Sequence, residues 1–194
     1  GPDQGRNPEV DFRGKKRSNK THVSRTDPDA LLATKSTGVA YLSYTTHTLS
    51  ENRHGLIVDV HTTQATGTAE RDAALVMLER RAAPRKPDRP ITVGADRGYD
   101  AAEFIQSLQD MSMVPHVAAK TRGSAVPEAI KETEDYAVSL RRRKMIEEAF
   151  GWVKDVGTLG RVMLRGLDRL RGEVLLNFAA YNLIRLGNLL APSH

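Results

Sequence analysis

The chain has 194 residues, 39% of them apolar, enough for one domain with a buried core. It has no cysteine, which excludes disulfides, thiolate metal sites and a cysteine nucleophile, and fits a reducing cytoplasm. No apolar run is long enough to suggest a membrane span, no segment reads as a signal peptide, and a formal charge of +5 suits a polyanionic partner.

The chain opens on Gly1 rather than Met, which reads as a cleavage scar or a cut from a longer protein. Residues 1–37 are rich in Gly, Pro, Ser, Thr and charge, and read as an extended basic arm or linker around Lys15, Lys16, Arg17 and Lys20. Residues 38–194 read as one domain. Its β-branched and aromatic runs at 38–48 and 56–63, separated by the turn SENRHG, predict an antiparallel hairpin. Thr68 can cap a helix over about 69–81, and the proline-punctuated loop at 83–90 leads into a strand at 91–96. Asp100 and Glu103 form a D-x-x-E variant of the capping box for a helix running to about 110. A short strand at 113–119 follows, and Pro115 places it near a sheet edge. Residues 120–137 read as a mobile loop, 139–155 as a helix, and 168–190 as a long helix with Val174, Leu175, Phe178 and Leu186 available for burial. The order predicts a mixed α/β domain.

Two carboxylates stand out. Asp96 ends an interior strand in ITVGADRGYD, where α/β sheets gather ligands, although Asp and Gly also serve as ordinary turn residues. In RRRKMIEEAFGWVK, helical phase puts Arg143, Glu147 and Lys154 on one narrow stripe beside an apolar face of Ile146, Ala149, Phe150 and Val153. Glu148 falls away from that face and is expected to meet solvent. The competing reading is a surface ion pair between Arg143 and Glu147, worth only a few tenths of a kcal/mol. A carboxylate between two cations at a core edge suits a site facing a polyanion. His116 reads as a partly buried strand histidine, and His22, His47, His54 and His61 lack metal-ligand spacing.

GADRGYD followed by RRRKMIEEAFGWVK resembles insertion-sequence transposases of the DDE class, in the group typified by insertion sequence 5. Arg143, Glu147 and Lys154 keep that group's R-x3-E-x6-K spacing, while Leu140 stands where its tyrosine belongs. The stretches NPEVDFRGKKRSNKTHVSRTDPDA, ENRHGLIVD and AAYNLIRL are also similar, so the resemblance covers nearly the whole chain.

The resemblance implies a ribonuclease-H-like mixed sheet flanked by helices, with Asp96 and Glu147 as two of three catalytic, metal-holding carboxylates. The strand carrying the first Asp is expected to be missing from this chain, because nothing before residue 37 matches its D-G-T-like stretch. Asp27 and Asp29 read as turn residues, and Asp59 lies in the wrong element. The family's chemistry implies two Mg²⁺ ions, replaceable by Mn²⁺, and DNA as transposon end and target. Arg143, Lys154, Tyr99, Lys15, Lys16 and Arg17 are the expected DNA contacts. A homodimer, no membrane partner and a cytoplasmic, nucleoid-associated location complete the expectation. Two other readings stay open: a DNA-binding remnant without catalysis, and a ribonuclease-H-like nuclease without strand transfer.

Overall fold

The hairpin forms as its residues dictate. β2 (Ala40–Ser50) and β3 (Ile57–Gln64) pair antiparallel, with His47 opposite His61, Leu49 opposite Asp59, and a register shift at Leu49/Ser50. The Glu51 carboxylate ties the turn, accepting the N–H groups of Arg53 (2.9 Å), His54 (2.8 Å) and Leu56 (3.2 Å). Burial raises this carboxyl, but the three donors outweigh it and hold its pKa below the ordinary glutamate value. The computed structural model describes residues 18–34, 40–82 and 90–191. Lys15, Lys16 and Arg17 therefore lie outside the described residues. Within the stretch expected to be an arm, β1 (Leu31–Thr34) pairs antiparallel with the start of β2. Asn19 clamps it, accepting from Leu32 N–H (2.8 Å) and donating to Leu32 C=O (3.0 Å).

β4 (Ile91–Ala95) and β5 (Met113–Val117) pair in parallel, Ile91 opposite Met113, and α2 (Ala102–Asp110) supplies the crossover that a parallel pair requires. β5 pairs with no other strand among the described residues, in keeping with Pro115. The strands make two sheets, β1-β2-β3 and β4-β5, rather than the single mixed sheet expected. The reason is topological: among the described residues no strand bridges β2 and β4.

Helices cover both sheets. α1 (Ala69–Ala82) packs on β2 and β3, and Arg80 from it reaches Asp59 (3.4 Å). Val60, the next residue, joins the opposite layer with α5 (Met145–Asp155) and α6 (Leu167–Leu190), as strand alternation demands. The core has two clusters. One gathers Leu78, Val93, Phe104, Ile105, Leu108, Met113, Val117, Val126 and Tyr136 around β4 and β5. The other gathers Ile57, Ala149, Val153, Leu170, Val174, Phe178 and Tyr181 around α6.

Four expectations are corrected. Residues 120–137 are a loop only in their first part: α3 (Glu128–Lys131) and the start of α4 (Glu134–Arg142) fold within the rest, and buried Tyr136 donates to Val117 C=O (2.9 Å). Asp100 does not cap α2, whose N-cap is Ala101. Its buried carboxylate turns away and accepts Lys120 N–H (2.7 Å) and Ala125 N–H (2.8 Å). The helix expected over 139–155 breaks at Arg143 and Lys144, because α4 lies on β4 and β5 while α5 packs on α6. Leu175 and Leu186 are exposed, at 56% and 39%, since Leu170, Val174, Asn177, Phe178 and Tyr181 form the buried stripe of α6.

The N-terminal end of α6 is set by polar contacts. Asp29 accepts Leu167 N–H (3.0 Å), and Asp27 accepts Gly166 N–H (3.2 Å) and the Tyr44 hydroxyl (2.5 Å). These carboxylates serve N–H groups that the helix leaves unpaired and favour its positive end. Burial and the Asp27 bond push the Tyr44 phenol up to about 12. Ahead of α6, Gly157 has no room for a side chain: a Cβ would run into Asn177 Oδ1 and lie 2.7 Å from Val153 C=O. Among the described residues no helix is long and apolar enough to cross a membrane.

Candidate functional site

Asp96 follows the last residue of β4 with extended backbone, and a one-turn 3₁₀ helix over 97–99 begins behind it. Tyr99 N–H returns to Asp96 C=O (3.0 Å), so the chain turns at once and leaves the Asp96 side chain 71% exposed. This is the carboxyl end of a parallel strand, where α/β sheets commonly present ligand-binding groups. Tyr99 itself is half-buried: its ring leans on Phe104 at a 5.2 Å centroid distance, and burial raises its phenol.

α4 brings the second motif to this strand end. It crosses β4 at Gly94, where a Cβ would lie 3.7 Å from Arg143 Cβ and 3.8 Å from Ser139 C=O. The Arg143 guanidinium, carried there, forms an ion pair with the Asp96 carboxylate. With so exposed a carboxylate, such a pair contributes about 0–1 kcal/mol. Arg143 Nε is buried without a hydrogen-bond partner, which costs about 1–3 kcal/mol. The pair therefore does not hold α4 in place. That falls to Tyr136 and to Ser139, whose hydroxyl meets His116 Nδ1 at 2.7 Å beneath the helix. His116 is buried and stacks edge-on against Tyr136; burial lowers its pKa, with Asp135 partly opposing.

Glu147 sits in the first turn of α5, its side chain exposed, its N–H bonded to Lys144 C=O (3.0 Å). The expected stripe of Arg143, Glu147 and Lys154 does not run along one helix, because the break separates Arg143 from the other two. Arg143 pairs with Asp96 and not with Glu147. The apolar face is as expected, with Ala149 and Val153 buried. Glu148 does not simply face solvent: it binds Arg185 of α6 at 2.6 Å. Lys154 is exposed, with Nζ 5.9 Å from the Phe150 ring centre.

Carboxylate oxygens are the right donors for a hard divalent ion. As arranged, however, these residues do not make a site for one: Asp96 is engaged by Arg143, and no group of three His, Cys, Asp or Glu side chains among the described residues could hold a metal. Four other aspartates have structural partners: Asp27 and Asp29 at α6, Asp59 at Arg80, Asp100 in the 120–125 loop. The meeting of Arg143 with Asp96 is the feature that sequence reading missed.

A family model described as the transposase DDE domain matches residues 19–183. No curated protein and no solved structure matches the chain.

Proposed function

The chain belongs to the transposase DDE-domain family, and from that premise we propose that it is the catalytic portion of an insertion-sequence transposase acting on DNA. In this reading Asp96 and Glu147 are two of the three catalytic carboxylates. The observation that carries it is the Asp96–Arg143 ion pair, which joins the D-R-G-Y element to the start of the R-x3-E-x6-K motif. The third carboxylate is supplied from outside the described residues, on a strand that would bridge β2 and β4 into one ribonuclease-H-like sheet. The family generally uses divalent metals, and Mg²⁺, or Mn²⁺ in its place, would activate the attacking hydroxyl and stabilise the leaving oxygen.

The chain's own side chains do the rest. Asp96 and Glu147 offer hard oxygen donors, Tyr99 fixes the turn that aims Asp96, and Arg143 and Lys154 contact phosphate oxygens. Lys15, Lys16 and Arg17 add sequence-independent phosphate contacts whose strength falls steeply with salt. A homodimer acting near the nucleoid fits this role; Leu176, Leu183 and Leu190, exposed and seven residues apart on α6, support an apolar self-contact. A second reading, DNA binding without catalysis, is favoured by the lack of a three-acid cluster among the described residues.

Nicking of supercoiled plasmid with Mg²⁺ or Mn²⁺ tests the proposal. The 194-residue chain should bind DNA and not nick it. Protein extended upstream through a D-G-T strand should nick, and Asp96→Ala or Glu147→Gln should abolish the activity. Nicking that survives both substitutions sinks the site assignment. Joining of transposon ends to a target separates a transposase from a plain nuclease.

A further inference from the structure

We propose that Arg143 is a built-in counterion that closes Asp96 to divalent ions until its guanidinium moves away. The inference rests on the reading of Asp96 as a metal ligand. Its ground is the mismatch between donor chemistry and arrangement: the carboxylate best placed for an ion, exposed at the end of β4, already holds a cation from its own chain. An ion entering there meets both an occupied oxygen and a fixed positive charge, and the two act in the same direction.

The arrangement is also built to release. Arg143 Nε is buried without an acceptor, so pairing with Asp96 leaves one donor of the guanidinium unserved. Arg143 stands at the junction of α4 and α5, where its N–H bonds Ser139 C=O at 2.9 Å but its own C=O receives only Ile146 N–H at 3.4 Å. Moving its side chain breaks no buried hydrogen bond within either helix. The neighbouring Arg142 points elsewhere, donating to Asn52 C=O at 3.1 Å, so the closure belongs to one residue rather than to the general positive charge of α4.

The test is Mn²⁺ titration of the ¹⁵N-labelled 194-residue chain, read as paramagnetic broadening of the amides of residues 96–99, with the spectrum itself reporting the fold. Arg143→Met, which keeps the stem and removes the charge, should lower the broadening midpoint by up to about fivefold, the most that one exposed ion pair supplies. Arg143→Gln should act in the same direction, Arg142→Met should not, and Asp96→Asn in the Arg143→Met background should remove the gain. An unchanged midpoint in both Arg143 variants, with Asp96→Asn weakening Mn²⁺ binding, overturns the closure and leaves the functional reading standing. An equal gain in Arg142→Met also overturns it, as nonspecific charge removal. Broadening indifferent to Asp96→Asn in every background overturns both the closure and the reading beneath it.

Discussion

The two candidate carboxylates stand on different cores. Asp96 ends β4, whose Val93 packs with Phe104, Leu108 and Val117; Glu147 opens α5, whose Ala149 and Val153 pack with Val174 and Phe178. The first is held by strand pairing and by the 3₁₀ turn that closes on its own carbonyl. The second begins a helix just after a break, and its place depends on how α5 lies on α6. A strand end is a rigid mount and a helix start after a break is an adjustable one. The distance between the two acids is therefore governed by the links between the cores: the Arg143 junction, Leu49 of β2 packed against the β4 cluster, and Arg142 bonded to the β2–β3 turn.

If those links make one cooperative unit, damage in either core should unfold both. Phe178→Ala, which empties a fully buried site edge-on to Phe150, should cost about 3–5 kcal/mol, and Leu108→Ala in the other core about 2–5 kcal/mol. Each variant should show one denaturant transition by far-UV circular dichroism and by Trp152 fluorescence. Two separated transitions would break the picture of linked cores. Gly157→Ala should cost about 1–3 kcal/mol by overpacking against Asn177 and Val153, on the α6 side alone.

Acid should weaken the two sides through different groups. On the β4 side, burial raises the Asp100 carboxyl, but bonds from Lys120, Ser124 and Ala125 outweigh it and hold it below the ordinary aspartate value. A carboxyl lowered on folding stabilises above its unfolded pKa. Asp100→Asn should therefore cost about 1–3 kcal/mol at neutral pH. The gap from the parent chain should close as pH falls below about 4. His116 beneath α4 and His47 in the hairpin are both lowered chiefly by burial. The folded chain holds them neutral, so stability present above about pH 6.5 should fall as acid protonates the unfolded chain first. Urea midpoints at several pH values measure both effects. A flat profile between pH 7.5 and 5.5 contradicts the histidine argument.

Local signals carried much of this in the sequence. The hairpin, β4, α2 and β5 were legible because strand alternation, Gly, Pro and turn residues mark them, and the buried face of α5 because Ala149 and Val153 keep helical spacing. What was hidden depends on distant partners. Nothing at Arg143-Lys144 breaks a helix by composition; the break arises because two cores claim the two halves. Asp100 reads as a cap until the 120–125 loop reaches it, and α6 has apolar residues on more faces than one core can use. For the candidate site, Asp96 and Glu147 are proposed from sequence pattern, whereas the pairing of Arg143 across to β4 required the fold.

The smallest effects sharpen the comparison most. Glu147 and Glu148 are adjacent, both exposed and both in the first turn of α5, so the helix N-terminus favours their charges in similar measure. They differ in partner: Glu148 binds Arg185 of α6, and no ion pair engages Glu147 among the described residues. Glu148→Gln should thus cost about 0.2–1 kcal/mol at low salt, shrinking as salt screens the pair. Glu147→Gln should change stability by less than about 0.5 kcal/mol at any salt. A side chain placed for chemistry on a ligand needs no ion-pair partner in the free chain, which is the pattern expected of Glu147. Equal, salt-sensitive losses in the two variants would mean that Glu147 has a structural partner of its own. The proposed role in catalysis would then pass from the first turn of α5 to some other acid.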